Sequence, residues 1–213
     1  MSDSIRDAML RQQEQNLLRL AERSKLIRVT TVDALPGWPV ERYFINYLCR
    51  SIVAITDEGA PIYGNAHQME LYLTADYPLA EPKLKFLTPI WHPNISSQAP
   101  RDVCTDSVNS WWAGKDLDEL VYYVGELLQY RHYHAKWEPP FPKDRTVAEW
   151  VLTYAEPRGL VGSDCPTDRR PLRNPLRIYQ GTVAAPAQAR IQLGVRPATT
   201  LTGKRIALGL ARA

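Results

Sequence analysis

Apolar side chains recur at helical spacing over residues 4–24. Ile5, Met9, Leu17, Leu20 and Ala21 form a stripe flanked by Leu10 and Leu18, and no Pro or Gly interrupts it. The other faces carry Arg6, Arg11, Arg19 and Arg23, so the segment reads as an amphipathic helix. The period then changes to two. Beyond a Pro36-Gly37-Trp38-Pro39 turn, the stretch from Arg42 to Ile55 places Tyr43, Ile45, Tyr47, Cys49, Val53 and Ile55 on one face of a single strand. Asp57-Glu58-Gly59 turns the chain. Met69, Leu71 and Leu73 then alternate with Gln68, Glu70 and Tyr72, and Leu84 and Phe86 alternate with Lys83 and Lys85. The pattern predicts an antiparallel meander of about four strands, each with one wet face.

Helical spacing returns at Leu117, Leu120, Val121, Val124, Leu127 and Leu128, broken only by the mildly costly Gly125. Asp116 stands at the cap position with Glu119 three residues on, a capping-box-like start. A loop at 131–142, rich in aromatics and prolines, leads to a short helix with Val147, Trp150, Val151 and Tyr154 on one side, ending near Pro157. The order is α+β, with an N-terminal helix, a four-stranded meander, a loop, and central and C-terminal helices packed on the sheet.

Composition divides the chain. Of its 26 basic and 23 acidic residues, positions 158–213 hold ten basic and two acidic, a balance of +8, which leaves −5 for residues 1–157. We therefore expect a core domain at 1–157 and a basic, proline-rich extension at 158–213. Within the extension only Ile191, Leu193, Val195 and Ile206, Leu208, Leu210 alternate like short strands. The basic extension admits two readings, disorder, which the composition of its proline-rich half supports, and docking on an acidic protein surface, which we favour. Nucleic-acid binding is disfavoured, because Tyr179 is its only aromatic residue for stacking. No run of about 18 apolar residues occurs, and the first twenty residues are too polar for a signal peptide, so a cytoplasmic protein without a membrane span is expected. The three cysteines, Cys49, Cys104 and Cys165, match neither a disulfide framework nor a metal-ligand spacing, so no metal or cofactor is expected.

The chemistry concentrates in one stretch. Asp76-Tyr77-Pro78 through Pro82 leads into Leu84-Lys85-Phe86, then Trp91-His92-Pro93-Asn94. Cys104 follows within Val103-Cys104-Thr105-Asp106, and Trp111-Trp112 come next. A thiolate is both nucleophile and leaving group, so an accessible cysteine can hold an acyl group as a thioester and yield it to an amine. Attack on that thioester builds negative charge on the carbonyl oxygen, which a fixed amide N–H such as that of Asn94 can stabilise. Asn94 equally suits bracing the loop through backbone hydrogen bonds, as Asn does in turns. Pro93 fixes the backbone at the turn and the His92 side chain anchors it.

This ordered set resembles the ubiquitin-conjugating enzymes over roughly residues 4–156. The resemblance implies that Cys104 accepts a ubiquitin-like protein from an activating enzyme, which uses the ATP, and transfers it to a lysine of a protein substrate. It implies an acid in the loop after the central helix, for which Glu138 is the candidate and His134 the second choice. It gives Asp106 a loop-structuring role beside His92 and Pro93, and it makes the arginine-bearing face of the first helix, with Arg6, Arg11 and Arg19, a docking face for the activating enzyme. The family commonly has two fewer residues between Asn and Cys, so Ser96 to Asp102 carries an insertion. A non-catalytic scaffold of the same fold that only binds ubiquitin-like proteins is the alternative. Nineteen of the 26 basic residues are arginine, a skew that suggests a bacterial, antiviral conjugation system.

Overall fold

The computed structural model of the protein describes residues 4–105, 111–162 and 170–172. Helix α1 (Ile5–Arg23) opens on a capping box. The Ser4 hydroxyl accepts from the Asp7 N–H at 3.1 Å, and the Asp7 carboxylate accepts from the Ser4 N–H at 3.4 Å. Its buried face is Leu10, Gln13, Asn16, Leu17 and Leu20. That line is rotated from the expected stripe, and Ile5 stands 88% exposed. The reason lies in the partner: Gln13 and Asn16 both donate to the Asp116 carboxylate, at 3.1 and 2.9 Å, so two polar side chains share the buried face.

The sheet is antiparallel, ordered β1-β2-β5-β6, from β1 (Ile27–Val32), β2 (Arg42–Tyr47), β5 (His67–Tyr72) and β6 (Lys83–Phe86). Its register sets Val29 against Ile45, Ile45 against Met69, and Met69 against Phe86, so alternate residues of neighbouring strands meet on the inner face. The expected meander is present, with one correction. The predicted single strand from Arg42 to Ile55 is two strands: β2, and β3 (Ser51–Ile55), which pairs with β4 (Pro61–Gly64) in a separate hairpin. The Leu48 N–H bonds the Leu26 carbonyl and the Cys49 carbonyl faces the His67 ring, which takes the chain out of the sheet. The alternation slips by one there, so Ile52 is fully buried while Val53 is half-buried.

Helix α2 (Leu117–Leu128) packs on the sheet, the Tyr47 hydroxyl donating to the Val121 carbonyl at 2.9 Å, and all six residues of its predicted stripe are buried. Its start differs from the expected box. Asp116 makes no side-chain cap bond, and the Leu117 N–H is instead satisfied by the Gln13 amide oxygen at 2.8 Å, because the Asp116 carboxylate is turned toward α1. Helix α3 (Arg145–Trp150) is capped by Asp144 and continues through Val151–Ala155 to Arg158. It builds a second apolar cluster with Ile52, Tyr130, Val147, Trp150 and Val151. Residues assigned by sequence to the extension also pack on the core: Val161 is buried in the second cluster, Leu172 is 1% exposed against α2 and β2, and Arg170 donates to the Leu48 carbonyl. The alternating stretches at 191–195 and 206–210 lie outside the described residues.

Candidate functional site

The His-Pro-Asn turn sits between the two apolar clusters and is bonded in three directions. Trp91 N–H donates to the Ile52 carbonyl at 2.9 Å, and Ile95 N–H closes the turn on the His92 carbonyl at 3.0 Å. The His92 ring is fully buried. Its Nδ1 accepts from the Asn94 N–H at 3.1 Å, and its Nε2 faces the His132 carbonyl at 3.2 Å. A nitrogen that accepts from an N–H is bare and one that meets a carbonyl carries a proton, so this is a neutral imidazole with a set tautomer. Burial pushes its pKa down to about 3, against a smaller upward pull from the His132 carbonyl. The Pro93 carbonyl accepts from the N–H groups of Lys143 and Asp144, at 2.8 and 3.0 Å. Asn94 is fully buried and its Oδ1 accepts from the His134 N–H at 2.9 Å. Because that partner is a donor, the amide cannot be flipped, which sets the direction of its N–H₂ end.

Cys104 arrives on an extended segment sewn between two neighbours. On one side Phe86 N–H bonds the Arg101 carbonyl and Val103 N–H bonds the Leu84 carbonyl. On the other, Ser96 N–H bonds the Asp102 carbonyl and Cys104 N–H bonds the Asn94 carbonyl at 2.8 Å. The thiol is free and half-buried. The inserted residues fold back between these two seams, with Arg101 in the left-handed region at φ 54° and its N–H bonded to the Gln98 carbonyl. Asp144 fastens this insertion. Its carboxylate accepts the Ser97 N–H at 2.9 Å and the Ser97 hydroxyl at 2.5 Å, while its other oxygen caps α3 through Val147 N–H at 3.1 Å. Burial raises the Asp144 pKa, but the hydrogen bonds from Ser97, Val147 and Thr146 outweigh that and hold it below the ordinary carboxylate value.

Thus Cys104, Asn94, His92 and Pro93 are brought together through adjacent hydrogen bonds. Glu138 is placed differently: its side chain belongs to the exposed stretch 136–141, and only its backbone carbonyl is engaged, facing the His134 ring at 3.0 Å. His134 contributes its backbone N–H to Asn94 and its ring to that loop contact. Asp106 lies outside the described residues. The α1 arginines are tethers inside the chain. Arg6 pairs with Glu41 at 2.7 Å and bonds the Thr74 carbonyl, Arg11 bonds the Gly37 carbonyl at 2.7 Å, and Arg19 bonds the Asn16 side chain. Trp111 packs on Tyr77, ring centroids 5.7 Å apart, with its N–H on the Pro78 carbonyl, whereas Trp112 is 63% exposed.

Asp144 and Ser97 are the residues that sequence reasoning passed over. Asp144 carried one legible signal, an acid just ahead of the apolar spacing that begins at Val147. Its bonds to Ser97 cross 47 positions and leave no local trace.

A groove of about 760 Å³ runs beside the cysteine, lined by Thr74 to Ala75, Glu81 to Leu84, Asp102, Val103, Thr105, Trp111 and Lys143 among others. A half-buried thiol backed by a rigid turn and an oriented amide combines the kinds of group that acyl transfer requires. The sequence model described as ubiquitin-conjugating enzyme matches residues 31–144, more than half of the chain, and spans the turn, the cysteine and Asp144. The chain belongs to the ubiquitin-conjugating enzyme family. Ubiquitin-conjugating enzyme E2 13 of Saccharomyces cerevisiae is 32% identical over 120 residues, covering 56% of this chain and 74% of that one. Human ubiquitin-conjugating enzyme E2 K is 36% identical over 88 residues, 41% of each chain, and Drosophila melanogaster ubiquitin-conjugating enzyme E2 N is 28% identical over 130 residues, covering 60% and 77%. The chain spans about two fifths of the length of the curated relatives it matches first.

Proposed function

We propose that this member of the family is a carrier of a ubiquitin-like protein. Cys104 Sγ, as thiolate, attacks the C-terminal carbonyl that an activating enzyme presents as its own thioester, the activating enzyme's thiolate departs, and Cys104 holds the acyl group as a new thioester. It then yields the acyl group to a lysine amine of a protein substrate, with the thiolate as leaving group. ATP is consumed by the activating enzyme, and this chain needs no cofactor. The observation that supports the reading is the placement of Cys104: a free, half-buried thiol whose own N–H is bonded to the carbonyl of the oriented Asn94.

Asn94 serves in both of the ways its residue type allows. Its Oδ1 holds the 132–134 loop, and that bond aims the N–H₂ end, the donor for the developing oxyanion. Glu138, exposed in the same loop, is the acid that meets an incoming amine. Asp144 instead braces the insertion, since its oxygens are engaged by Ser97 and by the start of α3. Helix α1 is the docking helix for the activating enzyme, ordered by the Arg6 and Arg11 tethers. No described helix is long and apolar enough to cross a membrane, in keeping with a cytoplasmic site of action. The arginine-rich basic set supports placement in a bacterial antiviral conjugation system, which the neighbouring genes would test.

The deciding experiment incubates the chain with a candidate activating enzyme, its modifier and ATP, and resolves the products with and without a thiol reductant. The proposal expects an adduct that the reductant removes and that Cys104→Ala abolishes. An adduct indifferent to both would refute it.

A further inference from the structure

The loop after α2 stands on the His-Pro-Asn turn at both ends. The Asn94 Oδ1 accepts from the His134 N–H at 2.9 Å, and the Pro93 carbonyl accepts from the N–H groups of Lys143 and Asp144 at 2.8 and 3.0 Å. Just inside these feet Ala135 and Pro142 are buried, while residues 136–141 between them form an arch exposed along its whole length. The same turn takes the Cys104 N–H, on the Asn94 carbonyl. Two adjacent residues, Pro93 and Asn94, therefore position both the arch and the segment that carries the thiol.

The arch displays aromatic rings to water. Trp137 and Phe141 are 56% and 50% exposed, with ring centroids 5.4 Å apart at 52°. Among the described ring pairs this is the one in which both members are exposed. The Arg145 guanidinium lies over the Trp137 ring, 5.3 Å from its centroid, and its Nε donates to Glu149 at 2.9 Å. The rings are held in place before any partner arrives, and an ordered apolar cluster in water marks a contact surface.

An aromatic face takes either an apolar side chain or a cation. Arg145 already covers Trp137, and Lys136 stands next to it in the chain, so a further cation is disfavoured. An aliphatic or aromatic side chain fits. Glu138, proposed above to meet the incoming amine, lies between the two rings in sequence. Neighbouring Cα atoms are about 3.8 Å apart, and an extended substrate advances about 3.3 Å per residue. A lysine presented at Glu138 thus brings side chains one to about three positions away onto the ring pair.

We propose that Trp137 and Phe141 form a specificity subsite that favours substrate lysines flanked within about three residues by a large apolar side chain. The proposal rests on the acyl-carrier role of Cys104. In the transfer step the lysine amine attacks the thioester carbonyl, the carbon–sulfur bond breaks and Cys104 leaves as thiolate. An amide forms, and the nitrogen sheds its proton to Glu138 or to water. The subsite decides which lysine arrives.

The test needs no knowledge of the modifier. The full chain is charged with a hexapeptide ending in Gly-Gly, supplied as its mercaptoethanesulfonate thioester. Transfer to acetyl-Gly-Leu-Lys-Leu-Gly-amide and to acetyl-Gly-Gly-Lys-Gly-Gly-amide is then followed by mass. The expected kcat/KM is about tenfold higher for the leucine-flanked acceptor, the order of discrimination an apolar contact supplies. Trp137→Ala and Phe141→Ala should each bring that ratio close to one. A ratio taken on one charged protein is not moved by partial unfolding. A ratio near one in the native chain, or a tenfold ratio kept by either variant, overturns the proposal. So does binding to phosphatidylcholine vesicles that Trp137→Ala abolishes, which would assign the rings to a membrane surface. Failure to form any thiol-sensitive adduct at the charging step overturns the Cys104 reading itself, so the two failures are distinguishable.

Discussion

Under the proposed function the Asn94 side chain does two jobs, and its burial separates them. The Oδ1 acceptor satisfies the His134 N–H in a site from which water is excluded. Truncation leaves a buried backbone donor without its partner, which typically costs about 1–3 kcal/mol. Asn94→Ala should therefore lower stability by that amount in denaturant unfolding, in addition to slowing transfer by about 10²–10³ through loss of the oxyanion donor. Unchanged stability beside a slowed transfer would show that the loop is held some other way. His92 gives a second residue-scale expectation. Its folded pKa is pushed by burial from the ordinary imidazole value of 6.5 to about 3, so the unfolded chain binds a proton that the folded chain refuses. Stability is then full above pH 6.5 and falls as the pH drops toward 3, by up to about 1.4 kcal/mol per pH unit. His67, likewise depressed by burial, adds to the same slope. The quantity to measure is the difference in slope between the native chain and His92→Gln from pH 6.5 to 5, and equal slopes would rule out a buried neutral His92.

The elements show where neighbours override local preference. Gly125 in the middle of α2 costs about 1 kcal/mol of helix propensity relative to Ala, yet a Cβ there would lie 2.7 Å from Leu172 Cδ1 and 3.1 Å from Tyr47 Cε1. Gly125→Ala should therefore destabilise the native chain and stabilise the Leu172→Ala background, where the nearest obstruction is gone. The coupling should emerge as a double-mutant cycle in thermal unfolding, and additive effects would contradict this packing. Sequence announced Gly125 as a cost but could not say why, because its reason sits 47 positions away. The same distinction runs through the rest. The stripe of α2 and the alternation of β5 and β6 were legible because each side chain's fate follows from the period of its own element. The break between β2 and β3, the rotation of the α1 stripe and the cap of α2 by Gln13 were not, since each is decided by a partner from another part of the chain. Of the site, the turn and the cysteine could be read from their order along the chain. The brace formed by Asp144 and Ser97, and the exposed setting of Glu138, depend on how the insertion and the loop after α2 come to rest against each other.

Across the whole molecule, the change in charge and the end of the packed core do not fall at the same residue. Charge changes character at about 158, but Val161 and Leu172 are only 7% and 1% exposed. The link is polar as well as apolar: the Ser24 hydroxyl donates to the Leu172 carbonyl and the Gln129 side chain donates to the Arg170 carbonyl at 3.0 Å. A chain ending at Pro157 loses all of these, together with the apolar contacts of a buried leucine, whose removal alone typically costs about 2–5 kcal/mol. A chain ending at Pro175 keeps them. The shorter truncation should thus unfold at lower denaturant than the longer one by at least that margin, and equal midpoints would mean that residues 158–175 add nothing to the core. This ordering also decides how the basic extension can be tested. Removing everything after Pro157 confounds docking with folding, whereas ending at Pro175 still strips Arg177, Arg190, Arg196, Lys204, Arg205 and Arg212. If those charges draw the chain to an acidic partner, thioester loading of the full chain should fall steeply with added salt and that of the Pro175 truncation only weakly. Loading curves that coincide at every salt concentration would remove docking from the account of the extension.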